Sequence, residues 1–384
     1  MELKDIIESE GSFNKDLTLQ DYQNTKPFLN GVSGLVDTIH RKYPELRDTF
    51  KKLKSLDWSE DEFRFEKCNA DFKDAYNSDK VSQDMADLMI ETIMWQWEAD
   101  SNVSQTPIAI ISMIQPIFEI FELESEISKN EIIHANTYSE IVRLSFDNPH
   151  DVMNKVLSAQ EPLKRLEIVE KTLGTVYKEF LNRQYSIVNN LHIKEDSYYI
   201  KLIIAMYFTI YCLERIQFMA SFAITFTICT LAKAYQPIGE AVQKICQDEF
   251  ETHCVGRKYI LLDILKKQYP KEFEECKPLM NDIFNAIVDS EKNWTESLFE
   301  NRSIVGIDCE TLTQWILFNA ADVHYSVGLE NDYIFPDKNP MPSLNTWLSM
   351  NLLQNANQEG DSTAYRVGIV DKSSMGKVGS NKFD

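Results

Sequence analysis

The longest apolar stretch of the chain, IKLIIAMYFTIYCLERIQFMASFAITFTICTLAKAY from Ile200 to Tyr235, sets the strongest constraint on the fold. Glu214 and Arg215 divide it, and each part is shorter than the roughly 20 apolar residues that a membrane-spanning helix needs. The pattern therefore indicates a helix buried on all sides in a large bundle, and no membrane partner is expected. A carboxylate in such a helix needs a counter-charge, because an unpaired buried carboxylate is costly or is forced neutral.

The rest of the chain is also helical in pattern. Segments such as QDMADLMIETIMWQW and EPLKRLEIVEKTLGTVYKEFLNRQY carry apolar residues at spacings of three and four, with only 12 Gly and 12 Pro in 384 residues. We expect an all-α fold in which residues 1–350 form one large helical domain. Residues 351–384 hold four of the twelve Gly and show no helical periodicity, so the sequence predicts a disordered C-terminal tail.

Charge and cysteine usage narrow the class of protein. A formal net charge of -21 repels phosphate backbones, so nucleic acid is not expected as a partner. Seven cysteines form no C-x-x-C pair, which is typical of reduced thiols in the cytoplasm and argues against a zinc ribbon. The N-terminus, MELKDIIESEG, lacks the basic and apolar regions of a signal peptide.

A carboxylate, an imidazole and a phenol share one face of a predicted helix. In EIIHANTY, Glu131, His134 and Tyr138 fall within roughly 60° of one another around the helix axis. Alone, this face is more typical of a buried core histidine than of a site. Asp100, which ends an apolar helical run in WQWEADSNV, precedes Glu131 by 31 residues and offers a further carboxylate.

The second half of the chain repeats this arrangement, with Glu214 followed after 35 residues by Glu249 and then His253. Two helix pairs, each supplying one carboxylate from one helix and a carboxylate with a histidine from the other, are what a dinuclear metal site in a four-helix bundle requires. Four carboxylates also balance two divalent ions, so such a site can be buried as a neutral unit. Oxygen-rich ligation with one imidazole per metal suits iron or manganese better than zinc. We expect two iron ions, with manganese or a mixed manganese and iron pair as alternatives. The predicted ligands are Asp100, Glu131, His134, Glu214, Glu249 and His253.

These residues stand in a sequence that resembles the small, radical-generating subunit of class I ribonucleotide reductase. The resemblance runs from LDWSEDEF at Leu56 to the C-terminus, and NPMPSLNTWL is similar to a late segment of that family. The six predicted ligands fall where the family places its metal ligands, and Tyr138 falls where it places the tyrosine oxidised to a stable radical. The resemblance implies a ferritin-like bundle, a homodimer, and a metal pair that activates dioxygen to oxidise Tyr138.

The resemblance also assigns an apolar pocket around Tyr138. Phe218, Phe222 and Ile245 occupy the family's positions for this pocket, which keeps water and reductants from the radical. Without Tyr138 nearby, these three residues would be interpreted as ordinary core.

A radical held in this subunit must reach the large subunit, where ribonucleotides are reduced to deoxyribonucleotides. Trp58, Asp248 and His134 resemble the inner end of the family's electron and proton route, with Asp248 expected to bridge by hydrogen bonds. Tyr365 resembles the relay at the subunit boundary. The tail is expected to dock on the large subunit, with Phe383 as its aromatic anchor.

One motif departs from the family pattern. The family has Glu-x-x-His in its second half, whereas DEFETH places His253 four residues after Glu249. A helix can absorb one inserted residue as a single π-type turn, so we expect such a turn between about Asp248 and Cys254. Glu251 is an alternative ligand, although it points about 200° away from His253 on a regular helix.

Two other functions use the same ligands. A ferritin-like di-metal oxidase or oxygenase would act on a small bound substrate, and a ferritin-like storage protein would hold metal. Neither accounts for Tyr138 one turn after His134 together with Trp58 and Tyr365.

Overall fold

The computed structural model describes residues 18–29, 38–77, 82–114, 117–158, 160–300, 302, 304 and 306–348. Within these ranges every regular element is helical, apart from an isolated bridge between Ile304 and Ile307. The all-α fold predicted from the periodicity is therefore confirmed. Residues 351–384, with Tyr365 and Phe383, lie outside the described residues, so the domain boundary at 350 stays a prediction.

The helices are numbered in chain order. The α-helices of the described residues are α1 Leu19–Asn24, α2 Pro44–Ser55, α3 Cys68–Asn77, α4 Gln83–Val103, α5 Thr106–Ile114, α6 Phe118–Ser145, α7 Pro149–Ser158, α8 Gln160–Val188, α9 Asp196–Cys212, α10 Phe218–Ala232, α11 Gln236–Asp248, α12 Cys254–Tyr259, α13 Lys266–Gln268, α14 Pro270–Phe299, α15 Cys309–Val327 and α16 Asn345–Leu348. Segments of π-helix are π1 Leu213–Gln217, π2 Glu249–His253 and π3 Ile260–Leu265. Short 3-10 turns occupy Glu60–Glu62, Phe65–Lys67 and Pro342–Leu344.

The apolar stretch forms one unbroken helical run, Asp196–Ala232, made of α9, π1 and α10. By length and composition this run could cross a membrane, but 78% of its most apolar window is buried inside the protein. It is therefore the central helix of the bundle, as the sequence predicts. Glu214 and Arg215, the charged pair near the middle of this run, lie within π1.

Four helical runs surround the centre of the molecule. Helix α4 packs against α6 and α10, α11 packs against α10 and α6, and π1 contacts π2. All the carboxylate and histidine motifs of the sequence lie on these runs. The fold thus places them at the middle of one bundle.

A buried ion pair fixes the outer helices α8 and α14 to this bundle. Arg165 of α8 donates from Nε and Nη2 to the two carboxylate oxygens of Glu291 in α14, at 2.9 and 2.7 Å. Its guanidinium lies between the rings of Trp95 and Trp294, 3.9 and 3.6 Å from their centroids. Gln217 donates to Glu291 at 3.0 Å, which ties π1 to the same pair. Such a two-point pair between stacked rings supplies the partners that buried charges require.

The NPMPSLNTWL segment packs across α10 and α11. Trp347 stacks on Phe226 with centroids 5.0 Å apart, and its Nε1 donates to Thr230 Oγ1 at 2.9 Å. A Cβ on Gly239 of α11 would lie 3.0 Å from the Trp347 ring and 2.9 Å from Cys229 Sγ. Glycine at this position therefore lets the indole pack closely against α11.

Candidate metal centre

The structure brings all six predicted ligands together in the core of the bundle. None of the six is more than 2% exposed. They come from the four central runs, as Asp100 of α4, Glu131 and His134 of α6, Glu214 of π1, and Glu249 and His253 of π2.

The six side chains form two overlapping groups, in each of which the ligand atoms lie within 4.8 Å of one another. The Asp100 half consists of Asp100, Glu131, His134 and Glu249. The Glu214 half consists of Glu131, Glu214, Glu249 and His253. Glu131 and Glu249 belong to both halves, so they are placed to bridge two ions.

The two shared carboxylates each direct one oxygen to each imidazole. Glu131 Oε2 lies 3.4 Å from His134 Nδ1, and Glu131 Oε1 lies 3.3 Å from His253 Nδ1. Glu249 repeats this arrangement, with Oε1 at 3.1 Å from His134 Nδ1 and Oε2 at 3.1 Å from His253 Nδ1. The centre therefore has an approximate twofold arrangement of donors around two neighbouring positions.

Donor atoms without hydrogen bonds are concentrated at this centre. Both oxygens of Asp100 and of Glu131 are buried and make no hydrogen bond with a described residue, and the same holds for His134 Nδ1 and Glu214 Oε2. Buried polar atoms are otherwise almost always paired. Carboxylate oxygens and imidazole nitrogens that converge without partners fit divalent iron or manganese, which would supply the missing interactions.

Electrostatics in the polypeptide alone show how strongly the centre attracts positive charge. Burial would lower the pKa of His253, but Glu249 and Glu131 raise it to about 10. Burial likewise opposes the charge of His134, yet Asp248, to which it is hydrogen-bonded, and the neighbouring carboxylates Glu131 and Glu249 lift its pKa well above the usual range. In the metal-free protein, protons on the two imidazoles thus compensate the carboxylate charges that metal ions would otherwise compensate.

The remaining carboxylates respond to the same field. Burial, followed by the charge of Glu131, raises the pKa of Asp100 well above its ordinary value. Burial raises the pKa of Glu214 to about 8, although the Arg257 charge opposes this effect. Burial would also raise the pKa of Glu131, but the imidazoles, His253 foremost, hold it well below its ordinary value.

Tyr138 is fully buried one helical turn after His134. Its hydroxyl makes no hydrogen bond with a described residue. Burial raises its pKa well above the ordinary value, and the charges of Asp100, Glu249 and Glu131 add to this effect. The phenol is therefore neutral and lies within the electrostatic field of the centre.

The predicted pocket residues belong to the same core as Tyr138. Phe218, Phe222 and Ile245 are at most 1% exposed. The Phe218 and Phe222 rings stack with centroids 5.6 Å apart. These three side chains are therefore buried from solvent in the same core cluster as Tyr138.

Asp248 connects Trp58 to His134. Asp248 Oδ2 accepts a hydrogen bond from Trp58 Nε1 at 2.7 Å and lies 3.2 Å from His134 Nε2. The Trp58 ring also stacks on the His134 ring, with centroids 5.8 Å apart and 18° between planes. The structure thus brings together the three side chains that the resemblance places on one route.

The π-type turn predicted between Asp248 and Cys254 is confirmed, because π2 spans Glu249–His253. Its extra residue leaves both Glu249 and His253 pointing into the core. Glu251 is instead ion-paired with Lys52 nearer the surface, so it does not join the ligand set. The π1 segment, which carries Glu214, was not predicted.

Three further residues at the centre were missed by the sequence analysis. These residues are Asn130, Glu124 and Arg257. Asn130 donates to Asp248 Oδ2 at 3.2 Å. Arg257 donates to the carboxylates of Glu214 and Glu124. A spacing signal existed for each: Asn130 lies four residues before His134, Glu124 seven before Glu131, and Arg257 four after His253. These intervals place them on the ligand faces of their helices.

Sequence and fold both match known proteins. The sequence profile described as "Ribonucleotide reductase, small chain" matches residues 36–340. The chain is 26% identical over 364 residues to the ribonucleoside-diphosphate reductase subunit beta of Haemophilus influenzae, an alignment that covers 90% of this chain and 91% of that protein.

Solved structures share the fold at lower identity. The ribonucleotide reductase R2 subunit from Clostridium botulinum gives a TM-score of 0.69 at 19% identity, covering 89% of this chain and 98% of its own. The dimanganese(II)-NrdF of Streptococcus sanguinis gives 0.62 at 16% identity, covering 82% of this chain and 99% of its own.

Proposed function

The chain belongs to the ribonucleotide reductase small-chain family, and we propose that its buried centre binds two metal ions and generates a radical on Tyr138. The observation that carries this proposal is the sharing of Glu131 and Glu249 by two ligand groups. A mononuclear site would not need a carboxylate oxygen directed to each of two imidazoles.

The six ligands would hold the metals in two linked positions. Asp100 and His134 would bind one ion, Glu214 and His253 would bind the other, and the remaining two carboxylates would bridge them. When bound, the metal pair would activate dioxygen, which is the oxidant for the removal of one electron from Tyr138. Four carboxylates offset the charge of two divalent ions, which allows burial of the loaded centre.

The environment of Tyr138 supports storage of an oxidised phenol. The charges of Asp100, Glu249 and Glu131 all act on the buried phenol, so we propose that a carboxylate of the centre receives the phenolic proton. The apolar side chains of Phe218, Phe222 and Ile245 would then exclude water and small reductants from the oxygen atom.

Trp58, Asp248 and His134 would form the inner part of a transfer route to a large subunit. Asp248 accepts hydrogen bonds from Trp58, so an electron and a proton can move through one connected group. We propose that Tyr365 continues this route and that the tail, with Phe383, binds the large subunit. We also propose a homodimer in the cytoplasm.

The relatives support a proposal for the substrate and for the metal. Because the Haemophilus influenzae protein is a ribonucleoside-diphosphate reductase subunit, we propose that the partnered large subunit reduces diphosphates. The donor set suits both iron and manganese. We propose iron as the metal of the centre. The dimanganese(II) form of the Streptococcus sanguinis protein makes manganese the first alternative to test.

Addition of ferrous iron and dioxygen to the metal-free full chain tests the proposal. We expect two ions bound per chain and a tyrosyl-radical signal by electron paramagnetic resonance. Manganese loading is compared in parallel. Two bound ions with no organic radical under either condition would favour the oxidase or storage alternatives.

The variant Tyr138→Phe separates the radical from the metals. It removes a hydroxyl that has no hydrogen-bond partner among the described residues, so folding and binding of two ions should survive. The radical signal and turnover with the large subunit should both be lost. A persistent tyrosyl signal of normal shape would show that another tyrosine is oxidised.

Truncation tests the role assigned to the tail. Removal of the residues after Val370 should abolish complex formation with the large subunit and leave the Tyr138 radical intact. Tyr365→Phe should bind normally and lose turnover. Normal turnover of Tyr365→Phe would exclude this residue from the route.

A further inference from the structure

Arg257 is a buried cation that belongs to neither the ligand set nor the proposed transfer route. It lies in α12, one helical turn after His253, and is 1% exposed. Its Nη1 donates to Glu214 Oε1, and its Nη2 donates to Glu124 Oε2 at 3.3 Å. The guanidinium therefore joins a predicted metal ligand to a carboxylate outside the metal set.

The position of Arg257 makes the two halves of the centre unequal. Besides its contact with Glu214, Arg257 Nη1 lies 3.7 Å from Glu131 Oε1, on the His253 side of that carboxylate. Both oxygens of Asp100 lack a hydrogen-bond partner among the described side chains, and the group beside them is His134 Nδ1 at 3.7 Å. A permanent positive charge is thus part of the Glu214 half alone.

We propose that Arg257 is a positioning residue that holds Glu214 until the second metal binds, and that it makes the two ions bind in order. The ion of the Asp100 half binds first, because neither Asp100 nor His134 is paired with the guanidinium. The ion of the Glu214 half binds second and more weakly. This inference rests on the dinuclear centre proposed above and adds the order in which that centre fills.

Two physical effects weaken the second step. A guanidinium stays charged at all working pH values, so it repels a divalent ion across a few ångströms of low-dielectric core. In addition, Glu214 Oε1 must leave its hydrogen bond to Arg257 before it can contribute fully to the second ion. Together these effects should separate the two binding constants by at least about tenfold.

Glu124 provides a second hydrogen-bond acceptor for the guanidinium after it releases Glu214. Its second oxygen, Oε1, is buried and has no hydrogen-bond partner among the described residues. A guanidinium that releases Glu214 can therefore form a two-point pair with Glu124, the strongest geometry for this pair of groups. The positive charge stays buried and compensated after the metal enters.

Close packing keeps Arg257 and Glu124 together. Gly256 precedes Arg257, and a Cβ at that position would lie 2.5 Å from Leu123 Cδ2. Gly256 and the Leu123 side chain are thus in direct contact beside the ion pair. Only a small rotation of the guanidinium, rather than a movement of helices, is needed for the exchange.

Equilibrium binding of manganese(II) to the metal-free full chain under anaerobic conditions tests the inference. The signal of the free aquo ion in electron paramagnetic resonance gives both binding constants without any requirement for activity. We expect two steps at least about tenfold apart in the natural chain. Asp100→Asn should weaken the first step, which assigns it to the Asp100 half.

The decisive variant removes the cation together with its second partner. Arg257→Met alone leaves Glu124 buried and unpaired and can fail to fold, whereas Arg257→Met with Glu124→Gln keeps the net charge unchanged. In the double variant the second ion should bind about tenfold more tightly or better, with the first constant nearly unchanged. Arg257→Lys should restore the separation, because it returns the charge.

Lys258→Met serves as the matched control. Lys258 is the adjacent cation in sequence, but it pairs with Asp322 at 2.9 Å and not with the centre, so both constants should stay as they are. Equal affinities in the natural chain, or an unchanged second step in the folded double variant, would overturn the role of Arg257 and leave the dinuclear centre standing. Binding of fewer than two ions by the natural chain would overturn both.

Discussion

Asp248 shows how one side chain fixes the chemistry of another at this centre. Trp58 Nε1 and Asn130 Nδ2 donate to its Oδ2 at 2.7 and 3.2 Å, and His134 Nε2 lies 3.2 Å from the same oxygen. An imidazole that donates through Nε2 presents Nδ1 to the shared carboxylates and to a metal. Asp248 therefore holds the orientation of His134 and, as a hydrogen-bond acceptor, favours a proton on Nε2.

Trp58→Phe tests this connection with little change of shape. The indole N–H bond to Asp248 is lost, so turnover with the large subunit should fall by about 100-fold or more, the usual effect of removing a proton-transfer group. Binding of two ions and formation of the Tyr138 radical should persist. The free energy of unfolding should fall by about 1–2 kcal/mol, measured by chemical denaturation.

Trp315→Phe is the matched control for this prediction. Its Nε1 donates to the backbone oxygen of Met219 at 2.8 Å, and the ring is 2% exposed, so the loss of stability should be similar. Turnover should be retained because Trp315 does not contact Asp248. Equal turnover in the two variants would place Trp58 off the route.

At the residue scale, the sequence predicted ligands better than it predicted their supports. Glu131 and His134 could be predicted because both lie on one helix at a recognisable spacing. Arg257 could not be assigned a partner, because Glu124 and Glu214 lie 133 and 43 residues away in sequence. Only the packing of α6, π1 and α12 brings these three charges together.

The two ligand pairs reach the same geometry by different helical turns. Glu131 and His134 are three residues apart in the regular helix α6, whereas Glu249 and His253 are four apart in π2. A π-type turn holds about one residue more than an α-helical turn, so the two spacings are equivalent. The extra residue of π2 therefore leaves the helix on either side in register.

Deletion of Phe250 should convert π2 to a regular α-helical turn. Phe250 is 40% exposed and lies between Glu249 and His253, so its loss would give the spacing found in α6. We expect the variant to fold and to bind two ions, with a lower melting temperature because the stacking of Arg215 on the Phe250 ring is lost. Calorimetry and metal analysis provide the two readouts.

Deletion of Ile132 gives the opposite expectation in a matched context. Ile132 is 48% exposed and lies between Glu131 and His134, but α6 has no extra residue to lose. The two ligands would then point about 200° apart, and metal binding should be lost. Loss of binding in both deletions would show that the π-type turn is itself required.

The π-type turns differ in how far they could be predicted. The turn at π2 was predictable because its ligand pair has an abnormal spacing. No such comparison exists for π1, since Glu214 is a lone ligand in its run, and π3 carries no ligand at all. An inserted residue can be detected in the sequence only where two residues of known spacing, such as a ligand pair, lie on either side of it.

At the scale of the molecule, periodicity was sufficient to predict an all-helical fold with a buried central run. It did not predict the way in which the outer helices attach. Arg165 and Glu291 are 126 residues apart and form their pair only because α8 and α14 pack beside π1. Charged residues in amphipathic helices are usually solvated, so their sequence pattern gave no reason to bury this pair.

The buried charges of the centre predict opposite effects of pH on the stability of the metal-free protein and on its affinity for metal. The pKa of His253 is raised from 6.5 to about 10, and that of Glu214 from 4.5 to about 8. A raised pKa stabilises the folded state below the ordinary value, and this contribution is lost as pH rises through the folded value. The metal-free protein should therefore have a lower melting temperature at pH 8 than at pH 6.5.

Metal binding should follow the reverse trend, because the ligands must lose these protons to bind. Manganese(II) should bind more tightly and raise the melting temperature more at pH 8 than at pH 6.5. Scanning calorimetry with and without metal at both pH values measures the two slopes. His253→Gln should flatten the slope of the metal-free protein, whereas His192→Gln, at an exposed position outside the centre, should leave it unchanged. If the metal-free protein instead became more stable with rising pH, the imidazoles would not be the groups that hold the protons of the unfilled centre.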